Sequence, residues 1–229
     1  MLESLSHIAV GCVLSIPLYL LNLKLAPRFG LIDWPKARGI AEDQIPIIGH
    51  TLIVISVAYF AFASYFFAIS PWFISTAIIM AVMGHFDDQK PVPSIDKLFF
   101  QIICVVAVVM LDPQLRESIA DRYGTSGSLW AIFFILGLMN AINFVDGIDG
   151  LAGLVLGMGA LGYLLLSNPE GAPGYFTYAG LLIGILIPFL YLNVVKRKGF
   201  LGNVGSYFLS YTLAVMHLSI PIEAQGPIG

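Results

Sequence analysis

Charged residues are scarce in this chain. Only 11% of its 229 residues are Asp, Glu, Lys or Arg, whereas soluble domains carry about 25%. The scarcity excludes an ordinary soluble domain, and we expect no nucleic-acid partner. Apolar residues dominate instead: 58% are hydrophobic and the mean hydropathy is +0.88, which indicates an integral membrane protein in a lipid bilayer.

Cysteine is nearly absent, and the N-terminus lacks the features of a cleaved leader. The two cysteines, Cys12 and Cys104, fall in separate apolar runs, which argues against a disulfide or a cysteine-ligated metal. The four histidines do not have a metal-ligand spacing. Because the first apolar run has neither a basic start nor a small-residue cleavage site, we expect it to be retained as a helix.

Apolar runs predict an all-α, polytopic membrane bundle of about eight helices. The predicted spans are 5–24, 45–69, 71–86, 98–111, 128–143, 151–167, 176–194 and 202–221. Several are shorter than the ~20 residues of a full crossing, so their ends are expected to extend into the loops. With no tandem repeat or linker, residues 1–229 are predicted to form a single domain.

The distribution of basic residues predicts an orientation. If the N-terminus lies outside, only Arg116 and Arg122 fall in outer loops, which the positive-inside rule favours. The inner loops then hold nine basic residues: Lys24, Arg28, Lys36, Arg38, Lys90, Lys97, Lys196, Arg197 and Lys198. The same orientation places the candidate acidic residues at the cytoplasmic face.

Four aspartates follow runs long enough to cross a bilayer: Asp87, Asp88, Asp146 and Asp149. Each costs roughly 2.5–3.5 kcal/mol at a membrane centre, so we expect them at a membrane surface or in a polar cavity, used for chemistry or transport. The adjacent pair suits a base, a Mg²⁺ site or both. A solvated polar loop is the alternative, and Lys97 could hold a phosphate as a point charge.

Two later segments carry polar side chains in regular patterns. On a helix, Asn140, Asn143, Asp146 and Asp149 form one stripe of amides and carboxylates, although a polar turn between helices is the alternative. The segment from Phe200 to Ser206, which includes Asn203, offers an aromatic ring, a flexible turn and a polar side chain. The basic run before it is equally explained by contact with anionic lipid.

Taken together, these motifs resemble the polyprenyl-phosphate N-acetylhexosamine-1-phosphate transferase family, of the bacterial glycosyltransferase 4 type. The pattern is closer to the undecaprenyl-phosphate GlcNAc-1-phosphate branch than to the muramoyl-pentapeptide branch. In order, the matches are Asp33-x-Pro35-x-x-Arg38 with Pro46-x-x-Gly49, Asp87-Asp88 with Lys97 and Gln101, Asn140-x-x-Asn143-x-x-Asp146-Gly-x-Asp149-Gly-Leu, and Phe200-x-Gly-Asn203-x-Gly-Ser206.

The resemblance implies a reaction at the bacterial inner membrane. A polyprenyl phosphate such as undecaprenyl phosphate would attack a UDP-N-acetylhexosamine such as UDP-GlcNAc and release UMP. This would be the first step of a lipid-linked envelope polysaccharide, for lipopolysaccharide or cell wall. The implied cofactor is Mg²⁺, with Mn²⁺ as the alternative ion, and a homodimer is left open.

The resemblance also implies roles for residues. Asp87 would deprotonate or orient the lipid phosphate, Asp88 would support it, and Lys97 would hold phosphate. Asn143 and Asn203 would bind the metal. The implied substrate-binding residues are Asp33, Arg38, Asn140, Asp146, Asp149 and Phe200, of which Asp146 and Asp149 would line the nucleotide site and Phe200 would stack on uracil.

The chain departs from the family pattern in two respects. Asn203 stands where the family has a metal-binding Asp, so weaker metal binding is expected. The family's C-terminal helices and late His-rich loop are not found, which predicts a truncated or divergent form. A non-catalytic homologue that binds lipid phosphate or a pathway partner is the second hypothesis. An ion-coupled transporter is the third, and the clustering of the acids at one face disfavours it.

Overall fold

The computed structural model describes residues 2–33, 45–67, 69–167, 170 and 172–220. For residues 2, 3 and 33 it describes the backbone alone. Within these ranges the chain is almost entirely helical. The helices are α1 (Leu2–Leu25), α2 (Gly49–Phe66), α3 (Pro71–Gln89), α4 (Ser94–Leu111), α5 (Pro113–Tyr123), α6 (Gly127–Val145), α7 (Leu151–Leu166), α8 (Pro173–Leu190) and α9 (Gly202–Leu218). Two short antiparallel strands, β1 (Ile32–Asp33) and β2 (Ile45–Pro46), precede α2.

The predicted polytopic membrane architecture is confirmed. Five helical stretches in the described ranges are long and apolar enough to cross a membrane. They are Ser4–Phe29, Gly49–Phe66, Ser94–Leu111, Pro113–Val145 and Pro173–Val195. Each of the eight predicted apolar runs corresponds to a helix, although α2 begins at Gly49 rather than residue 45, because Ile45 and Pro46 pair with β1.

Helix α5 is the element that hydropathy did not predict. The sequence suggested an outer loop there, because Pro113–Tyr123 is polar. Its start is fixed by Asp112, whose carboxylate accepts a hydrogen bond from the Leu115 N–H at 3.1 Å, and by Pro113 in the first turn. One side of α5 is buried, with Leu115 and Ile119 in the core. Amphipathic packing, rather than length of apolar sequence, explains this helix.

Helix α9 is the centre of the bundle. It packs against α2, α3, α5, α6 and α7, and every residue from 204 to 216 is buried. Because neighbouring helices shield it from lipid, it tolerates polar residues whose hydroxyls bond to carbonyls in the preceding turn. Thr212, for example, donates to the Leu209 carbonyl at 3.0 Å. Outside this centre, α1 lies along α8.

One end of the bundle collects several of the motif residues. There the ends of α3 and α6 meet the start of α9, through Asp88 and Asn143 respectively. The opposite end holds α5, where Arg122 and Ser118 donate hydrogen bonds to the Ile220 carbonyl. The predicted clustering of Asp87, Asp88 and Asp146 at one end is therefore seen in the fold.

Helices α3 and α9 approach each other closely at this end because Gly84 lacks a side chain. A methyl group at Gly84 would lie 2.6 Å from the Asn203 carbonyl oxygen and from the Val204 Cα. These are backbone atoms of the central helix, so they can move only if α9 moves. The absence of a side chain at Gly84 thus sets the distance between the two helices.

We therefore expect Gly84→Ala to lower the free energy of unfolding by about 1–3 kcal/mol, the usual cost of overpacking. The control is Gly137→Ala on α6, where an added methyl meets no atom within 4 Å. That change should be neutral or slightly stabilising, because Ala favours a helix over Gly. Denaturation of both variants in detergent measures the effect. Equal stabilities would show that the α3–α9 distance is not fixed at Gly84.

Candidate active site

A cleft of about 130 Å³ lies at the end of the bundle where α3, α6 and α9 meet. Its walls come from segments far apart in the sequence. The lining residues are Ile47, Asp88, Asn143, Asp146, Gly147, Phe200, Gly202 and Asn203. The fold thus joins three of the predicted motifs, with Ile47 added from the segment that precedes α2.

Phe200 is held in the cleft wall by backbone pairing with the segment before α2. The Phe200 N–H donates to the Pro46 carbonyl at 3.0 Å, and the Ile48 N–H donates to the Phe200 carbonyl at 2.8 Å. Gly202 then turns the chain into α9 with a φ of +74°, a conformation that favours glycine. A side chain at Gly202 would also lie 2.8 Å from the Asp88 carboxylate. Both the backbone conformation and the lack of space therefore favour glycine at this position.

Asp88 caps the start of α9. One carboxylate oxygen accepts the Asn203 N–H at 2.8 Å, and the other accepts the Val204 N–H at 3.0 Å. Both N–H groups belong to the first turn, where a helix has no internal acceptors and carries a partial positive charge. Asp88, predicted as catalytic, therefore has a clear structural contact in addition to its place in the cleft wall.

Asn143 links α6 to α9 across the cleft. Its amide nitrogen donates to the Asn203 side-chain oxygen at 2.7 Å and to the Ser206 hydroxyl at 3.0 Å. The bond to Asn203 leaves a second lone pair on that amide oxygen, since a carbonyl oxygen has two. The two predicted metal ligands are therefore in contact with each other.

The cleft offers the ligand atoms that Mg²⁺ prefers. Two carboxylates, from Asp88 and Asp146, and two amides, from Asn143 and Asn203, line it. Magnesium typically takes one or two carboxylates and completes its shell with water and substrate phosphates. Among the described residues no group of three or more His, Cys, Asp or Glu could hold a metal ion.

Asp87 lies next to the cleft in a buried ion pair. Its side chain is 1% exposed, and the Lys97 ammonium lies 2.7 Å from its Oδ2. The same oxygen accepts the Tyr207 hydroxyl at 3.3 Å, and Oδ1 accepts the Val92 N–H at 2.9 Å. The predicted catalytic residues Asp87 and Lys97 are thus brought together, with partners from the α3–α4 connection and α9.

Comparison with known proteins identifies the family. The family model of glycosyl transferase family 4 matches residues 70–220, which contain α3 to α9. The chain belongs to glycosyl transferase family 4. The family resemblance read from the motifs is therefore confirmed, and all the cleft residues except Ile47 lie within the matched region.

Two curated relatives of this glycosyl transferase family 4 chain carry names with a function. It is 28% identical over 207 residues to the probable undecaprenyl-phosphate N-acetylglucosaminyl 1-phosphate transferase of Bacillus subtilis (strain 168), a match that covers 85% of this chain and 57% of the relative. It is 24% identical over 209 residues to the undecaprenyl-phosphate alpha-N-acetylglucosaminyl 1-phosphate transferase of Yersinia pestis, covering 82% and 55%. The chain spans a little over half the length of these relatives.

Several predicted residues of this family 4 chain lie outside the cleft. Asn140 is exposed, and its amide donates to Gln101 on α4 at 2.9 Å. Asp149 is exposed in the turn between α6 and α7 and does not line the cleft. Arg38 lies outside the described residues, as does the side chain of Asp33, whose backbone pairs with Ile45.

Two residues that support the site were not predicted from the sequence. Asn193, 5% exposed, accepts the Gly150 N–H at 2.5 Å and donates to the Gly199 carbonyl at 2.8 Å. It thereby joins the α6–α7 turn to the segment before Phe200. Asn193 lies in a π-helical turn, Tyr191–Val195. The feature of the sequence that could have indicated its role is a single amide side chain within an apolar run. The other missed residue is Tyr207, the partner of Asp87.

We expect Asp88→Asn to lower the free energy of unfolding by about 1–2 kcal/mol, the usual value of a helix cap. The amide keeps only one acceptor atom, and its NH₂ group opposes the second backbone N–H. Asp149→Asn removes the same charge from an exposed position and should be nearly neutral. Denaturation in detergent compares them. A stability for Asp88→Asn equal to the starting protein would mean that capping of α9 contributes nothing.

Proposed function

We propose that this chain transfers an N-acetylhexosamine-1-phosphate from a UDP-sugar to a membrane polyprenyl phosphate and releases UMP. One observation carries the proposal: an oxygen-lined cleft lies beside a buried Asp87–Lys97 pair at one end of a membrane bundle. The names of the two relatives support undecaprenyl phosphate as acceptor and N-acetylglucosamine as the sugar. Family membership supports transfer of a sugar group.

The charge of the cleft supports a divalent cation as cofactor. Among its lining residues, as far as the chain is described, there is no Lys, Arg or His, whereas Asp88 and Asp146 are acidic. A nucleotide diphosphate would enter such a cleft only with its charge neutralised. Mg²⁺, when bound, would supply that neutralisation and stabilise the departing UMP. Asp146, Asn143 and Asn203 would hold it through their side-chain oxygens.

Lys97 would bind the phosphate of the acceptor lipid. It lies in the first turn of α4, where Ile95 is 76% and Phe99 64% exposed on the outside of the bundle. A polyprenyl chain in the bilayer would contact such apolar side chains, with its phosphate near the end of the helix. The Lys97 side chain is itself 24% exposed, which leaves it accessible to that phosphate.

Asp87 serves this reaction by positioning Lys97 rather than by accepting a proton. A phosphate monoester has a second pKa of about 6, so the acceptor is mostly dianionic at neutral pH and needs no base. Phosphoryl-type transfer depends mainly on placement and charge neutralisation. The three hydrogen-bond and ion-pair partners of Asp87 suit a fixed anchor for the ammonium.

Phe200 offers a ring surface for uracil at the cleft wall.

The distribution of charge supports a cytoplasmic active site in the bacterial inner membrane. Basic residues on the cleft side of the described structure outnumber those on the α5 side by seven to two, which the positive-inside rule associates with the cytoplasm. The seven are Lys24, Arg28, Lys90, Lys97, Lys196, Arg197 and Lys198. This step would begin an envelope polysaccharide.

The first test is UMP release by the purified chain in detergent, with UDP-GlcNAc, undecaprenyl phosphate and Mg²⁺. We expect metal-dependent release, abolished in Asp87→Asn, because the amide cannot anchor the Lys97 ammonium by charge. Membrane insertion of the variant should persist. Other UDP-N-acetylhexosamines are supplied if UDP-GlcNAc fails. No release with any of them, together with retained binding of polyprenyl phosphate, would support the non-catalytic alternative instead.

A second test adds a carboxylate at the proposed metal site. Asn203→Asp keeps an oxygen that can accept the Asn143 amide and adds one negative charge in the cleft. We expect the Mg²⁺ concentration for half-maximal activity to fall about tenfold, since one more charged ligand stabilises a hard cation. Asn140→Asp adds the same charge outside the cleft. An equal shift in both variants would contradict direct coordination by residue 203.

A further inference from the structure

A tyrosine hydroxyl is buried against the Asp87–Lys97 pair. Tyr207 on α9 is 2% exposed, and its hydroxyl donates to Asp87 Oδ2 at 3.3 Å. The adjacent Phe208 is fully buried, so α9 accommodates aromatic rings that have no hydroxyl. A buried phenol is retained at low cost only where it has a polar partner. At Tyr207 the partner is the carboxylate that we assign to the anchoring of Lys97.

The hydroxyl completes a three-point attachment of Asp87. The Val92 N–H holds Oδ1 from the α3–α4 connection, whereas Oδ2 is shared by Lys97 and Tyr207. Lysine has a flexible four-carbon stem and a point charge, so it does not fix the plane of a carboxylate by itself. The ring of a buried tyrosine is fixed by packing, so its hydroxyl oxygen has a fixed position. Tyr207 therefore supplies the rigid contact at Oδ2.

The same helix also fixes the cleft. Asp88 holds the backbone of the first turn of α9, and Tyr207 follows one turn beyond Asn203. The two adjacent aspartates of α3 are thus tied to α9 one turn apart. The position of the Asp87–Lys97 pair relative to the Asn203 amide follows from these two attachments.

We propose that Tyr207 is a positioning residue, which fixes the position of the Asp87–Lys97 pair relative to the cleft. The acceptor phosphate bound to Lys97 then faces the donor diphosphate in the cleft. The inference rests on the proposed transfer reaction. It assigns no contact with substrate to Tyr207. The effect is exerted through Asp87, and the predicted consequence is confined to the acceptor side of the reaction.

The next turn of α9 provides a matched control. Tyr211 is also fully buried, and its hydroxyl shares a hydrogen bond with Thr76 of α3. Tyr211→Phe therefore removes the same group from the same helix against the same neighbouring helix. It leaves Asp87 and Lys97 untouched. A comparison of Tyr207→Phe with Tyr211→Phe separates positioning of the ion pair from packing between α3 and α9.

The kinetic experiment measures transfer by the full chain of each variant at varied concentrations of polyprenyl phosphate and UDP-sugar. We expect Tyr207→Phe to lower kcat/KM for polyprenyl phosphate about tenfold, the effect of one lost hydrogen bond to a charged group. The KM for UDP-sugar should stay unchanged. Tyr211→Phe should match the starting protein in both parameters. Equal losses in the two variants would overturn the proposal.

A second readout does not require transfer. Pulsed labelling with an amine-reactive reagent, followed by peptide mass spectrometry, measures the reactivity of Lys97 relative to the exposed Lys90. We expect Tyr207→Phe alone to raise Lys97 labelling, about threefold or more, because the carboxylate that protects the ammonium becomes mobile. This result would support the positioning role of Tyr207 even if the chain turns over no UDP-sugar. In that case the proposed transfer reaction would be wrong and the positioning role would stand. Equal Lys97 labelling in the two variants would overturn the proposal whatever the transfer assay shows.

Discussion

Two backbone N–H groups at the start of α9 bond to one carboxylate, that of Asp88, and the geometry of the cleft depends on this contact. Helix α9 is the buried centre of the bundle, and the N–H groups of its first turn have no acceptor within the helix. A carboxylate satisfies both and complements the positive end of the helix. Gly84, one turn earlier on α3, allows the backbones to come close enough for the contact. Asn203 and Tyr207 then take their positions from the helix that Asp88 holds.

Among the described residues the buried carboxylates have partners: Asp87 is paired with Lys97, and Asp112 lies at the start of α5. Asp87 is buried in a bundle that faces lipid, and removal of one partner from a buried pair typically costs about 3–5 kcal/mol. Lys97, Tyr207 and the Val92 N–H give each of its two oxygens at least one partner. An arrangement built with three partners from separate elements is rigid. Rigidity is the property that a reaction governed by the placement of phosphates requires.

Hydropathy and motif order were sufficient to predict eight of the nine α-helices in the described residues and most of the polar side chains that line the cleft. Both are local signals, and a carboxylate at the end of a membrane helix is conspicuous in sequence. The errors concern partners that lie far apart in the chain. The role of Asp88 as a cap depends on N–H groups 115 and 116 residues away, and the role of Tyr207 depends on a carboxylate 120 residues away. Helix α5 was missed for another reason: its burial depends on one apolar side within a polar sequence, which an average over a window hides.

The contact that Asn203 makes with α6 does not depend on a charge at this position. Its amide oxygen accepts the Asn143 amide as a carboxylate oxygen would, so the contact between α6 and α9 does not require Asp at this position. The electrostatic consequence differs, because Asp88 already offsets the positive end of α9, and Asp146 is the remaining carboxylate of the cleft wall. Under the proposed function, a divalent cation would then be bound more by the diphosphate of the nucleotide than by the protein. Metal and nucleotide would bind as one unit, and each would strengthen the binding of the other, since such coupling between ligands is reciprocal.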